Sequence, residues 1–254
     1  MRIAIVCTYF QRQFQLNKTL LSIAKSSHKD FEVIIVDDCS PDDIILPEVD
    51  FKVTVIKMKD KTWTNPEPAY NIGIIEALKG NPDIIILQNA ECYHEGDILT
   101  NAQRITSENY ISFGCYCLNE ETTFKEHNIS EVIQSSNIGA VDNGQNAWYN
   151  HPVFRPVGYD FCSAITADNL RKLNGYDERF SLGCAYGDDY LIERVRMLGL
   201  KIEITEYPFV VHQWHYSNPG HPDHELLCKR NAELLKQLVP ENKYKAIHLM
   251  TPDL

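Results

Sequence analysis

The run Ile84-Ile85-Ile86-Leu87, set off by Pro82-Asp83 and leading into Gln88-Asn89-Ala90-Glu91-Cys92, constrains this chain most. Four consecutive large aliphatics fit a strand covered on both faces, as in the parallel sheet of an α/β protein, and not the alternating pattern of a half-exposed strand. Polar residues then stand at its carboxyl end, where open α/β sheets bind ligands. Asn89 and Glu91, two apart and directed to the same side, are placed to share a cation, because a hard divalent ion takes oxygen from an amide carbonyl and a carboxylate. The local alternative is a polar turn that Asn89 begins, with Glu91 solvated.

The segments before this strand read as further α/β units. Ile3 to Tyr9 is a β-branched run expected in the middle of the sheet. The following Thr8-Tyr9-Phe10-Gln11-Arg12-Gln13 holds no glycine, so a G-x-G-x-x-G dinucleotide turn is excluded there. Leu16, Leu20 and Ile23 form a helical stripe over 16–27, and Phe31 to Val36 is a second strand. It ends in Asp37-Asp38-Cys39-Ser40-Pro41-Asp42-Asp43, where one carboxylate can face a ligand crevice or the cluster can form an Asx turn. Phe51 to Met58 alternates as a more exposed third strand. Ala69 to Leu78 is a helix that Gly73 lets approach the sheet and Gly80 ends.

Beyond Glu91, Glu95 to Leu99 turns into a helix and Ile111 to Leu118 is a strand. Residues 119–150 become polar and are expected to form an excursion over the substrate side. At its end, Trp148 and Tyr149 offer a stacking platform for a sugar, or Trp148 packs under the loop. Asp188 and Asp189 open a helix in which Leu191, Val195 and Leu198 share one face. Acids there cap the helix and complement its dipole, and the same position keeps a carboxylate ionised as a general base must be. The strand Pro208 to Val211 delivers His212 and His215, either metal ligands or structural histidines. His221 and His224 are read as surface residues at the start of a last helix, roughly 223–238.

With 254 residues and 44% hydrophobic content the chain can bury a full core, and its net charge of −11 argues against a nucleic-acid surface. The eight cysteines include no C-x-x-C pair, which speaks against a zinc ribbon or a thioredoxin-type centre. Met1-Arg2 leads directly into a strand without a signal-peptide pattern, so the cysteines are read as reduced thiols. No apolar run approaches the roughly 18–20 residues of a membrane span. The expectation is a cytoplasmic protein, at most peripheral to a membrane.

Taken in order, these regions resemble the family 2 glycosyltransferases of the GT-A fold. Thr8-Tyr9-Phe10, Val36-Asp37-Asp38-Cys39-Ser40 and Ala69-Tyr70-Asn71-Ile72-Gly73 look like the family's nucleotide-binding half. Leu87-Gln88-Asn89-Ala90-Glu91 falls where the family carries an Asp-x-Asp metal motif. Cys162-Ser163-Ala164, Gly175-Tyr176-Asp177-Glu178 and Gly187-Asp188-Asp189 resemble the acceptor half. Two departures stand out. The metal motif reads Asn-Ala-Glu, which leaves one formal charge at the cation, and Tyr70 stands where the family often has Arg.

The resemblance implies a single GT-A domain, a mainly parallel twisted sheet flanked by helices. Residues 1–100 would form the nucleotide-binding half, 101–222 the acceptor half and 223–254 a C-terminal helix and tail. The implied activity is transfer of a sugar, with inversion, from a nucleotide diphosphate sugar, UDP-sugar foremost, to a glycan, lipid-linked or other hydroxyl acceptor in carbohydrate biosynthesis. Asp189 would be the base, with Asp188 beside it. Thr8, Tyr9, Asp37, Asp38, Asn71 and Asn89 would contact the nucleotide, and Trp148, Tyr149 and Asp160 the acceptor. Mn²⁺ or Mg²⁺ would be held by Asn89, Glu91 and His212 or His215. The rivals are a non-catalytic nucleotide- or sugar-binding protein on a degenerate transferase fold, and a nucleotidyltransferase, which would want a basic glycine-rich loop that is missing near the N-terminus.

Overall fold

The computed structural model describes residues 1–135, 147–216 and 222–254. The middle of the polar excursion and the Asn218-to-His221 segment lie outside these described residues.

Strand β1 (Ile3–Tyr9) is central, with β2 (Phe31–Asp37) on one side and β4 (Ile84–Asn89) on the other, both parallel to it, while β3 (Lys52–Lys57) extends the parallel set beyond β2. The sheet continues through β8 (Cys162–Thr166), antiparallel to β4, then β6 (Asn109–Cys117) and β9 (Lys201–His212), which run parallel to each other. The short β5 (Cys92–Glu95) closes the far edge against β9, and β7 (Trp148–Asn150) pairs with β6. The helices are α1 (Gln13–Ile23), α2 (Glu67–Lys79), α3 (Ile98–Ala102), α4 (Glu120–Thr123), α5 (Ile129–Gln134), α6 (Ala167–Leu173), α7 (Gly187–Met197) and α8 (His224–Leu238). None of them is long and apolar enough to cross a membrane.

The aliphatic runs are explained by layers on both faces. Ile3, Ile5, Val33, Ile35, Ile84 and Ile86 pack with Leu16, Leu20 and Ile23 of α1, whereas Ala4, Val6, Ile34, Val36, Ile85 and Leu87 pack with α2, α6 and α7. A strand buried on both sides has no reason to alternate, which is why β4 reads as continuous apolar sequence. Gly73 makes the close approach expected of it: a Cβ there would stand 2.5 Å from Cγ1 of Val6.

Two differences from the sequence reading bear on the site. The chain does not run straight on from β4 but turns at Ala90-Glu91 and re-enters the sheet as β5, so Glu91 sits between two strands. The C-terminal tail is held by the Glu178 carboxylate, which accepts the backbone N–H groups of Leu249 (2.7 Å) and Met250 (2.5 Å). Asn71 completes this knot, donating to Glu178 Oε1 (2.9 Å) and to the Tyr176 carbonyl (3.0 Å) and accepting the Tyr176 N–H (2.8 Å).

Candidate functional site

The carboxyl ends of β1 and β4 open into a cavity of about 340 Å³ whose floor carries Thr8, Arg12, Asn89 and Glu91 and whose wall carries Glu67, Asp160 and Asp188. Glu91 is the centre of the floor. It is almost fully buried, and its Oε2 accepts a hydrogen bond of 2.7 Å from Arg12 Nη1. Its Oε1 faces Nε2 of His212 at 3.4 Å, Nε2 of His215 at 3.5 Å and the Asn89 amide nitrogen at 3.4 Å. Burial alone would raise the Glu91 carboxyl, but the Arg12 guanidinium with His212 and His215 reverses this and holds it well below the usual carboxylate range.

The backbone enforces this convergence. His212 is registered opposite Cys92 at the end of β9, and Gln213 then donates both its backbone N–H and its side-chain amide to the Glu91 carbonyl, each at 3.0 Å. Gln213 is fully buried, so the β9 end is fastened to the β4–β5 turn. Both histidines join Glu91, one directly at the strand end and one just beyond it.

This donor set fits a divalent cation. Glu91, His212 and His215 place one ligand atom each within 4.8 Å of one another. The separations of 3.4–3.5 Å are long for hydrogen bonds and close to the spacing of neighbouring donors around one ion. Nδ1 of His212 is buried without a partner, so the ring has no hydrogen bond turning it away from Glu91. Asn89 is the weaker member, since its Oδ1 is taken by the Tyr70 hydroxyl at 2.7 Å and its nitrogen is turned toward Glu91. A flip of the amide, which exchanges atoms of nearly equal size, directs the oxygen to the ion.

The wall is built differently. Glu67 opens α2 with its carboxyl almost fully buried against Gly187, its Oε2 without a partner, and burial pushes its pKa up to about 8. Asp188, at the start of α7, is raised to about 7 by burial and by the neighbouring Asp160 and Asp189 carboxylates. Asp160 is also raised by burial and accepts a hydrogen bond from the Tyr176 hydroxyl. Asp189 is absent from the cavity lining and accepts a hydrogen bond from the Tyr159 hydroxyl at 3.0 Å.

Other expected residues take structural positions. Tyr9 packs its ring into the α1-side core. Asn71 is wholly buried in the tail knot and its amide is fully used there, so it does not line the cavity. Asp37 accepts the Ser40 N–H at 2.8 Å and so holds the turn, the alternative open in its sequence. Asp38 binds Lys61 through one oxygen and the Trp63 indole N–H (2.7 Å) through the other. Trp148 is core, edge-on to Tyr116 at 5.1 Å and to Phe209 at 5.3 Å, and offers no stacking face to a sugar. Tyr149 stays half-buried, stacked on Phe161 at 5.5 Å and edge-on to His212 at 5.2 Å.

Arg12 and Glu67 were not singled out by the sequence reading. Arg12 stands in the glycine-free turn after β1, at the N-cap position of α1 and at the ligand end of the sheet, a position that could have marked it. Glu67 carries no such signal, because an acid in the first helical turn is ordinary.

The profile of Glycosyl transferase family 2 matches residues 3–161, more than half of the chain. Among solved structures, residues 1–349 of Staphylococcus aureus TarS in complex with UDP align with a TM-score of 0.63 at 12% identity, over 95% of this chain and 65% of that one. The mannosyltransferase PcManGT of Pyrobaculum calidifontis, in complex with GDP-Man and Mn²⁺, aligns at 0.58 and 14% identity over 97% and 66% of the two chains. The catalytic domain of Drosophila beta1,4galactosyltransferase 7, in complex with xylobiose, aligns at 0.55 and 12% identity over 92% and 79%. At such identity the likeness carries the fold, and the chain spans less than two thirds of the TarS fragment. No curated protein sequence matches it. With the family profile covering β1 through β7, up to the residue before β8, and the same fold in these transferases, the chain belongs to glycosyltransferase family 2.

Proposed function

We propose that the protein transfers a sugar from a nucleotide diphosphate sugar, a UDP-sugar foremost, to an acceptor hydroxyl with inversion at the anomeric carbon. The observation that carries this reading is the meeting of Glu91, His212 and His215 beside Arg12 at the carboxyl ends of β1 and β4. UDP and GDP-Man in related folds support a nucleotide donor, and the Mn²⁺ of the mannosyltransferase complex supports a divalent ion. Glu91, His212 and His215, with the flipped Asn89 amide, would hold that ion, and Mn²⁺ is preferred to Mg²⁺ because imidazole nitrogen suits a softer cation. When bound, it supplies Lewis-acid stabilisation to the leaving diphosphate.

The chain's own residues do the rest. Arg12 has N–H donors beyond the one on Glu91 and meets phosphate oxygens from the cavity floor. Asp188, poised near neutrality in the wall, and Asp160 accept hydroxyls of the donor sugar. Asp189 takes the acceptor proton: its Oδ1 is oriented by Tyr159 and its other oxygen remains for the incoming hydroxyl, which attacks as the donor's anomeric C–O bond to phosphate breaks. Inversion follows from direct displacement, which needs one base and no enzyme nucleophile.

The test is a panel of nucleotide sugars with Mn²⁺, Mg²⁺ or chelator, read by thermal shift and donor hydrolysis. A UDP-sugar with Mn²⁺ is expected to raise the melting temperature and to turn over. Binding without turnover by any donor and acceptor would instead favour the degenerate, non-catalytic reading. Equal nucleotide affinity with metal and with chelator would remove the Glu91 cation site.

A further inference from the structure

A second cluster of metal-ligating side chains lies outside the cavity and outside the matched 3–161 segment. His224 and Cys228 are one helical turn apart at the start of α8, so they project from the same face. Cys184, in the loop before α7, meets them there. The three ligand atoms lie within 4.8 Å of one another, and Sγ of Cys228 stands 3.6 Å from Nε2 of His224. In a tetrahedral site with Zn–S near 2.3 Å and Zn–N near 2.1 Å, neighbouring donors are roughly 3.6 Å apart.

The scaffold around them is already fixed. The Cys184 N–H donates to the Leu227 carbonyl at 3.3 Å, and the buried Asn231 amide donates to the carbonyls of Phe180 and Ala185, each at 2.9 Å. Cys184 is buried, Cys228 half-buried and His224 exposed, which gives an ion a path from solvent to the inner thiol. We propose that Cys184, His224 and Cys228 form a site for a soft divalent metal of the zinc type, with water as the fourth ligand. Two thiolates and an imidazole select such an ion over Mg²⁺ or Ca²⁺. Binding releases the two thiol protons to solvent. The ion tethers α8 to the loop that leads into Asp188, so it stiffens the acidic wall without touching substrate.

Cobalt reads this site separately from the Glu91 centre, because only sulfur ligation gives a thiolate-to-cobalt charge-transfer band. Chelator-stripped, reduced full-length protein titrated with Co²⁺ is expected to develop that band to saturation at one equivalent, and Zn²⁺ should bleach it. Cys228→Ser should abolish it, His224→Ala should weaken Co²⁺ binding at least tenfold, and Glu91→Ala should leave the band intact. Circular dichroism verifies folding, and His224 is exposed enough that its variant retains the fold if a cysteine variant does not. A titration with no charge-transfer band, or a band of full strength in both Cys228→Ser and His224→Ala, overturns the proposal and leaves the Cys228–His224 contact as a local hydrogen bond.

Discussion

The floor and the wall of one cavity hold the same kind of group in opposite states. Glu91 and Glu67 are both buried glutamates, at 2% and 3% exposure. Glu91 has Arg12 and two imidazoles and stays charged, whereas Glu67 has the Asn65 amide at 3.3 Å and, among the described residues, no ion-pair cation, and is pushed up to about 8. Burial is common to the two, so the partner decides the charge. Under the proposed function, the charged floor would take the cation and phosphates, while the wall, with Asp188 raised to about 7, would exchange protons and hydrogen-bond hydroxyls.

The largest expected effect falls on Asp189, next to the wall residue Asp188 but outside the cavity lining. Asp189→Asn keeps size and can still accept from the Tyr159 hydroxyl but loses basicity, so transfer should fall by about 10² to 10⁴ with donor affinity and folding nearly unchanged. The N-cap position of α7 is Tyr186, with no side-chain cap, so no capping contact is lost. Turnover and donor affinity measured on the same acceptor check this, and full activity in the variant would remove Asp189 from the base role. Glu91→Ala attacks the floor. It leaves Arg12 without its partner and should cost about 3 kcal/mol in chemical denaturation, at the low end for a buried pair because Arg12 keeps 28% exposure, and it should abolish metal-dependent nucleotide binding. If both variants lose the same step, the floor and Asp189 do not divide binding from proton transfer.

A third measurement sharpens the contrast in charge. Glu67 binds its proton more tightly in the folded chain than in the unfolded one. Its contribution to stability is therefore complete below the ordinary carboxyl range and is lost as pH rises from about 4.5 through about 8. Glu67→Gln cannot ionise, so wild type should lose on the order of 2–4 kcal/mol relative to it between pH 5 and pH 9, read by denaturation at each pH. Parallel stability curves for the two proteins would mean that Glu67 is charged like Glu91. The smallest effect belongs to Asp188→Asn, which should change donor affinity only a few-fold and flatten its pH dependence near 7. An unaltered profile would place that titration elsewhere.

Much of the fold was legible because its signals are local. The β1 run ends at Tyr9 as expected, the last helix runs to Leu238, and Asp97 caps α3 by accepting the Thr100 N–H at 3.1 Å. The continuous aliphatics of β4 announced a strand covered on both faces, and Gly73 announced the close contact with Val6. The residues proposed to hold the cation were legible as residue types at strand ends. Less legible were residues whose role depends on what arrives from far away in sequence. Asn71 looks like a binding amide until the tail and Glu178 close over it, and Trp148 looks like a platform until Tyr116 and Phe209 bury it.

By itself the sequence determined the layered α/β architecture, the placement of acids and histidines at strand and helix ends, and the family resemblance. The first two depend on periodicity, turn chemistry and spacing along the chain, and the resemblance rests on short motifs. Only the tertiary structure decided that Arg12 pairs with Glu91, that Gln213 fastens His212 against it, and that Asp188 rather than Asp189 faces the cavity. It also decided which carboxylates are charged. A carboxylate's charge depends on the few ångströms of medium around it, and that medium is supplied by segments that meet only when the sheet closes.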